Sequence, residues 1–280
     1  MRLWTIMAGE LERMYRQKGT YAGYALLAFL IAMFMWGIWA EGPSSGDVNR
    51  RFGAEMAVGG NLVSGGLVPY LLLEIPVAIN VFIPLLISMI AGGLVAGEAQ
   101  RGALRTVLIR PVHRWAVVLG KLVAAFVHAG SLVLFLGLTS LVAGYILFGG
   151  GDIITVEQGL RIFEERNGLL RLAAGYGLTM VTLFSVAAIA LLCSTVFERS
   201  LTAAGVTVGF LIVSGALMAI PYFEWLQPYL LTSHFHSFRH VFVRPVDWPA
   251  IWTDLGYVGA YTGVAIAATL AVFCRRDMTC

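Results

Sequence analysis

The sequence predicts an all-α integral membrane protein, with six transmembrane helices behind an N-terminal amphipathic helix that lies in the membrane interface. Three observations predict it. Of 280 residues, 59% are hydrophobic and 12% charged, about half the charged share of a soluble domain. The mean hydropathy is +0.81. The apolar residues fall in runs of roughly 20 or more, the length that crosses a ~30 Å hydrocarbon layer at ~1.5 Å per residue. Strands of a barrel would instead alternate in ~10-residue pieces.

In "MRLWTIMAGELERMYRQK", Leu3, Trp4, Met7, Leu11, Met14 and Tyr15 recur at helical spacing. Arg2, Glu10, Arg13 and Arg16 lie largely off that stripe, so residues 1–20 read as an amphipathic helix at the membrane surface. The same charges exclude the apolar core of a cleavable signal peptide. Residues 21–280 then read as one domain. Its spans cover about 21–40, 71–96, 115–148, 169–196, 201–220 and 255–273. The second carries Pro76 and Pro84. The third is longer than the bilayer needs, so it tilts or continues into water.

Six spans place both termini on one side, and the basic residues choose the side. Twelve of the 19 lysines and arginines fall in the N-terminal segment, the loops after spans two and four, and the C-terminus. By the positive-inside rule these face the cytoplasm. The other seven, Arg50, Arg51, Arg161, Arg166, Arg171, Arg239 and Arg244, lie in longer outer loops among acidic residues. Of those loops, 41–70 is rich in glycine and polar residues. The segment 149–168 contains "GLRIFEERNGLL" and reads as a short amphipathic helix. The aromatic stretch 221–254 reads as partly helical and dipping into the outer leaflet.

Chemistry is sparse. The net charge is +3, with no basic stripe interleaved with aromatics, so nucleic acid is not an expected partner. Cys193, Cys274 and Cys280 form no CxxC, and no HExxH occurs. Gly120-Lys121 ends like a phosphate loop. Leu122 follows where Ser or Thr is required, however, and Trp115 stands where the first glycine belongs. No catalytic, cofactor or metal residue is therefore expected in the chain itself. His234, His236 and His240 read H-x-H-x3-H, but His234 shares no helical face with His240, and no nearby carboxylate or thiol completes a ligand set. At membrane depth, Asn80 and His128 are the polar candidates. His128 is the ionisable group near a span centre, and it reads as a neutral imidazole bonded to a neighbouring helix.

The most patterned stretch is "GEAQRGALRTVLIRPVHRWAVVLGK", 97–121. Leu104, Val107 and Leu108 share one side of a short helix, with Arg101 and Arg105 on the other. Pro111 then turns the chain. Such a helix on a turn is a docking element for a soluble partner. The stretch resembles the hallmark of ABC-2-type permeases, the membrane subunits of ATP-binding-cassette exporters. That pattern is roughly E-x-x-x-G-T-L-x-x-L-L-x-x-P-x-x-R followed by G-K. Glu98, Gly102, Leu104, Val107, Leu108, Pro111, Arg114, Gly120 and Lys121 supply it, with Ala103 for threonine, Val107 for leucine and Ala99 for a second acid. The terminal "FCRRD" (273–277) and the order of the elements extend the likeness over nearly the whole chain.

The resemblance implies a type V exporter permease fold in a prokaryotic inner membrane, with both termini cytoplasmic. It implies a homodimer of permeases served by two copies of a soluble ATPase, which binds the ATP and magnesium. Glu98, Arg101, Gly102, Leu104, Arg105, Leu108, Pro111 and Arg114 would form the coupling segment. Two other readings stand beside it. One is a membrane anchor or mechanotransmission module of an ATPase complex that transports nothing. The other is a secondary transporter, which should show inverted repeats and intramembrane acids. The two halves show no clear repeat, and the second half has no counterpart of the patterned arginine loop.

Overall fold

A computed structural model describes residues 3–41, 64–75, 78–100, 114–155 and 161–275. Helices dominate these residues, as the apolar runs require. Helix α1 (Leu3–Tyr15) is followed by α2 (Lys18–Glu41). The second expected span is broken into α3 (Leu67–Glu74), a π-helical turn (Ala78–Phe82), α4 (Ile83–Ala91) and α5 (Gly93–Gln100). The long α6 (Arg114–Phe148) leads to strands β1 (Ile153–Thr155) and β2 (Arg161–Phe163). Then come α7 (Glu165–Val196) and α8 (Ser200–Met218). Three 3₁₀ segments (Pro221–Phe223, Gln227–Tyr229 and Leu231–Val241) precede α9 (Trp248–Arg275).

Five of these helices, α2, α6, α7, α8 and α9, are long and apolar enough to cross a membrane. The pair Leu67–Glu74 and Ala78–Ala91, bent by 64°, makes a sixth if counted as one span. The bend falls where the sequence places Pro76, a residue that removes a helix donor and disfavours helix just before it.

Helix α7 is the centre of the bundle. Its apolar window is 61% buried, against 22% for α2 and α9. It packs on α4, α6, α8, α9 and the 231–241 segment. Phe126 of α6 stacks on Phe184 of α7 at 4.7 Å between ring centres. Helices α2 and α9 turn Phe29, Met33, Trp36, Trp252 and Val264 outward. Exposed apolar surface of that extent on long helices is what a lipid-facing position asks for.

The segment 149–168 corrects the sequence reading. Residues 153–155 and 161–163 form an antiparallel β1–β2 pair, with Ile153 opposite Phe163 and Thr155 opposite Arg161, and only 165–168 are helical, as the start of α7. Side chains alternate: Ile153 and Phe163 are fully buried while Ile162 is 55% exposed. Period-2 burial over β-branched and aromatic residues outweighed the weak helical pattern.

Candidate functional site

The first turns of α6 meet α1 and α5 in a buried ionic cluster. Local sequence explains how it closes. Gly120 presents no side chain to α1: a Cβ there would lie 3.1 Å from Ile6 Cγ2 and 3.6 Å from Glu10 Cγ. The close approach puts Lys121 between α1 and α5. Lys121 is 1% exposed, Glu98 6% and Glu10 9%. Lys121 Nζ lies 2.8 Å from Glu98 Oε2 and 3.3 Å from Glu10 Oε2. It also donates to the Leu94 carbonyl at 2.8 Å. Arg13, half exposed, pairs with the other oxygen of Glu98.

Two acids and two bases thus neutralise each other out of water. That is the condition for burying charge, since an unpaired buried ion costs several kcal/mol. The cluster ties three elements, α1, α5 and α6, that are far apart in sequence.

A second clasp fixes the angle of α5. At the Gly92–Gly93 break, Ser194 Oγ of α7 donates to the Gly92 carbonyl at 2.7 Å. It accepts from the Val95 and Ala96 amides at 3.0 and 2.9 Å. One hydroxyl so satisfies three backbone groups that the helix break leaves open. Gly92 itself leaves no room for a side chain, because a Cβ would sit 2.5 Å from the Ser88 carbonyl and 3.0 Å from the Ala204 amide.

Of the expected coupling residues, Arg101, Gly102, Leu104, Arg105, Leu108 and Pro111 lie outside the described residues. Arg114 begins α6. Glu98, at the base of that segment, turns inward to Arg13 and Lys121. The sequence reading missed Glu10 and Lys121 as partners. A signal was present: Lys121 interrupts "WAVVLG…LVAAF", and a lysine inside an apolar run must be paired. Glu10 shares a helical face with Ile6 and Met14, the residues α1 turns toward α6.

The two membrane-depth candidates stay apart. His128 is 1% exposed, edge-on to Tyr24 with ring centres 6.1 Å apart, and faces the Leu86 backbone. Neither of its nitrogens is in hydrogen-bonding geometry. Asn80 sits in the π-helical turn, half-buried, with its side-chain oxygen unpartnered. No hydrogen bond joins the two.

The histidines of the 231–241 segment have a carboxylate after all. Asp254 of α9 reaches His234 Nδ1 at 2.7 Å and His240 Nε2 at 3.5 Å. His234 Nε2 meets the Pro228 carbonyl at 3.1 Å, and the ring stacks on Tyr257. Burial, then the Arg239 charge, push the His236 imidazole down to about 4. Among the described residues no three His, Cys, Asp or Glu side chains are arranged to hold a metal ion.

Long apolar helices around a central α7, with a broken second span and an ion-paired base, define a polytopic helical membrane protein. The chain belongs to the ABC-2 transporter family: the family model described as "ABC-2 family transporter protein" matches residues 4–278. Among curated proteins it is similar to the uncharacterized protein YhcI of Bacillus subtilis (strain 168), 28% identical over 200 residues. The match covers 68% of this chain and 63% of that protein.

Proposed function

We propose that this chain is the permease subunit of an ABC exporter, driven through residues 97–121 by a soluble ATPase on the cytoplasmic face. The observation that carries the reading is the buried cluster of Glu10, Arg13, Glu98 and Lys121. It joins both ends of the segment 101–113 to each other, through Glu98 before it and Lys121 after it, and to α1. A push on that segment then moves α1, α5 and α6 as one unit, and the Ser194 clasp passes it to α7. On this reading Glu98 anchors the coupling segment, while Arg101, Gly102, Leu104, Arg105, Leu108, Pro111 and Arg114 form the surface toward the ATPase.

ATP and magnesium reside on the partner, because this chain offers no phosphate loop. A second copy completes the translocation path. The α8 face carrying Gly205, Gly209 and Gly215 supports this, since each of those glycines looks onto open space and small residues let membrane helices approach closely. The basic residues around α1 and 97–121 support a cytoplasmic position for both termini.

The test is co-expression with a soluble ATPase carrying GxxxxGK[ST], encoded beside its gene. Co-purification of two permeases with two ATPases, and loss of the ATPase on deleting residues 101–113, is the expected result. Recovery of the permease free of any ATPase would sink the proposal.

A further inference from the structure

The end of the bundle opposite α1 holds a second charged group of unlike character. Phe163, the last residue of β2, is fully buried. Two guanidinium groups lie over its ring: Arg171 of α7 at 4.7 Å from the ring centre and Arg244 at 4.4 Å. Arg161 precedes Phe163 by two residues on β2, which puts both on one face of the strand. Arg161 and Arg244 lie close enough for their charges to act on Arg171.

Among the described residues, Arg171 and Arg244 are held together by groups other than acids. Arg171 donates to the Val241 carbonyl and, at 3.0 Å, to the Val243 carbonyl. The aromatic ring supplies cation–π attraction to both Arg171 and Arg244. Four acidic side chains of this end are engaged elsewhere: Glu74 with Arg239, Asp254 with His234, Glu165 with Tyr145, and Asp247 with the Ala250 amide. Among the described residues no carboxylate pairs with Arg171 or Arg244, and Arg244 is exposed.

We infer that Arg171 and Arg244 bind the phosphate of an anionic lipid headgroup. Guanidinium forks match phosphate oxygens with paired, charge-assisted hydrogen bonds. The level in the membrane fits as well. Tyr222, Trp225, Trp248 and Trp252 are exposed at this same end, and such residues mark the headgroup layer. A lipid phosphate there would neutralise the charge on Arg171 and Arg244, with which no carboxylate pairs among the described residues. The binding is independent of any ATPase, so its failure leaves the permease reading intact.

The full chain, purified in detergent, is titrated with phosphatidylglycerol, phosphatidylcholine and inorganic phosphate, and binding is followed by native mass spectrometry and thermal shift. Phosphatidylglycerol should bind more tightly than phosphatidylcholine. Arg244→Gln should weaken it about tenfold, the loss of one hydrogen bond between charged groups. Arg244→Lys, which keeps the charge but not the fork, should fall between. Arg244 is exposed, so its variants should keep the unliganded melting temperature; Arg171→Gln also uncaps two carbonyls and is the harsher probe. Unchanged phosphatidylglycerol affinity in Arg244→Gln overturns the site. Stabilisation by inorganic phosphate but not by phosphatidylglycerol overturns the lipid as its occupant.

Discussion

The two ends of this bundle treat charge in opposite ways. At the α1 end, Glu10, Glu98, Lys121 and Arg13 close on one another, and the first three are almost wholly buried. At the far end, Arg171 and Arg244 gather over Phe163 with no acid paired to either among the described residues. Burial explains the first arrangement, because charges taken out of water must be matched. Exposure permits the second, because water screens Arg244. The matched cluster acts within the chain as a joint; the unmatched one is left open to something outside it.

Breaking the joint gives the largest expected effect. Lys121→Met leaves the buried Glu10 carboxylate without its cation and Glu98 with Arg13 alone, a loss of about 3–5 kcal/mol, read as a fall in melting temperature and folded yield. Adding Glu98→Gln should recover part of it. If the double variant is no better than the single, the pairing is not what stabilises the base.

Gly120→Val comes next. It forces α1 away from α6 at a cost of about 1–3 kcal/mol, and trimming Ile6 to alanine should restore most of the melting temperature. Ser194→Ala removes the acceptor of two buried amides, for about 1–3 kcal/mol; an unchanged melting temperature would mean another group serves those amides. Arg13→Ala should have the smallest effect, at most about 1 kcal/mol, because half-exposed pairs are screened. A loss comparable to that of Lys121→Met would move the centre of the joint from α6 to α1.

The sequence exposed the helices well because apolar length is a local property. Residues 18–41, 114–148 and 165–196 are long helices where the apolar runs predict them. The patterned loop 97–121 was also conspicuous, yet nothing in it set Glu98 against Lys121, which face each other across two helices. Their pairing depends on how α1 folds back, and Glu10 is 111 residues away from Lys121. The same limit hid Asp254 from His234 and His240, since the carboxylate arrives from the following helix. The β1–β2 pair was lost to a different cause. Three-residue strands leave too few alternating positions to compete with an overlapping helical pattern.

The most direct test of the account is ATP turnover by the partner ATPase, reconstituted in nanodiscs with either the native chain or Gly102→Trp. The account predicts that the native chain stimulates turnover. The variant should remain inserted and ATPase-bound but lose the stimulation. Equal stimulation by both, or none by the native chain, would contradict it.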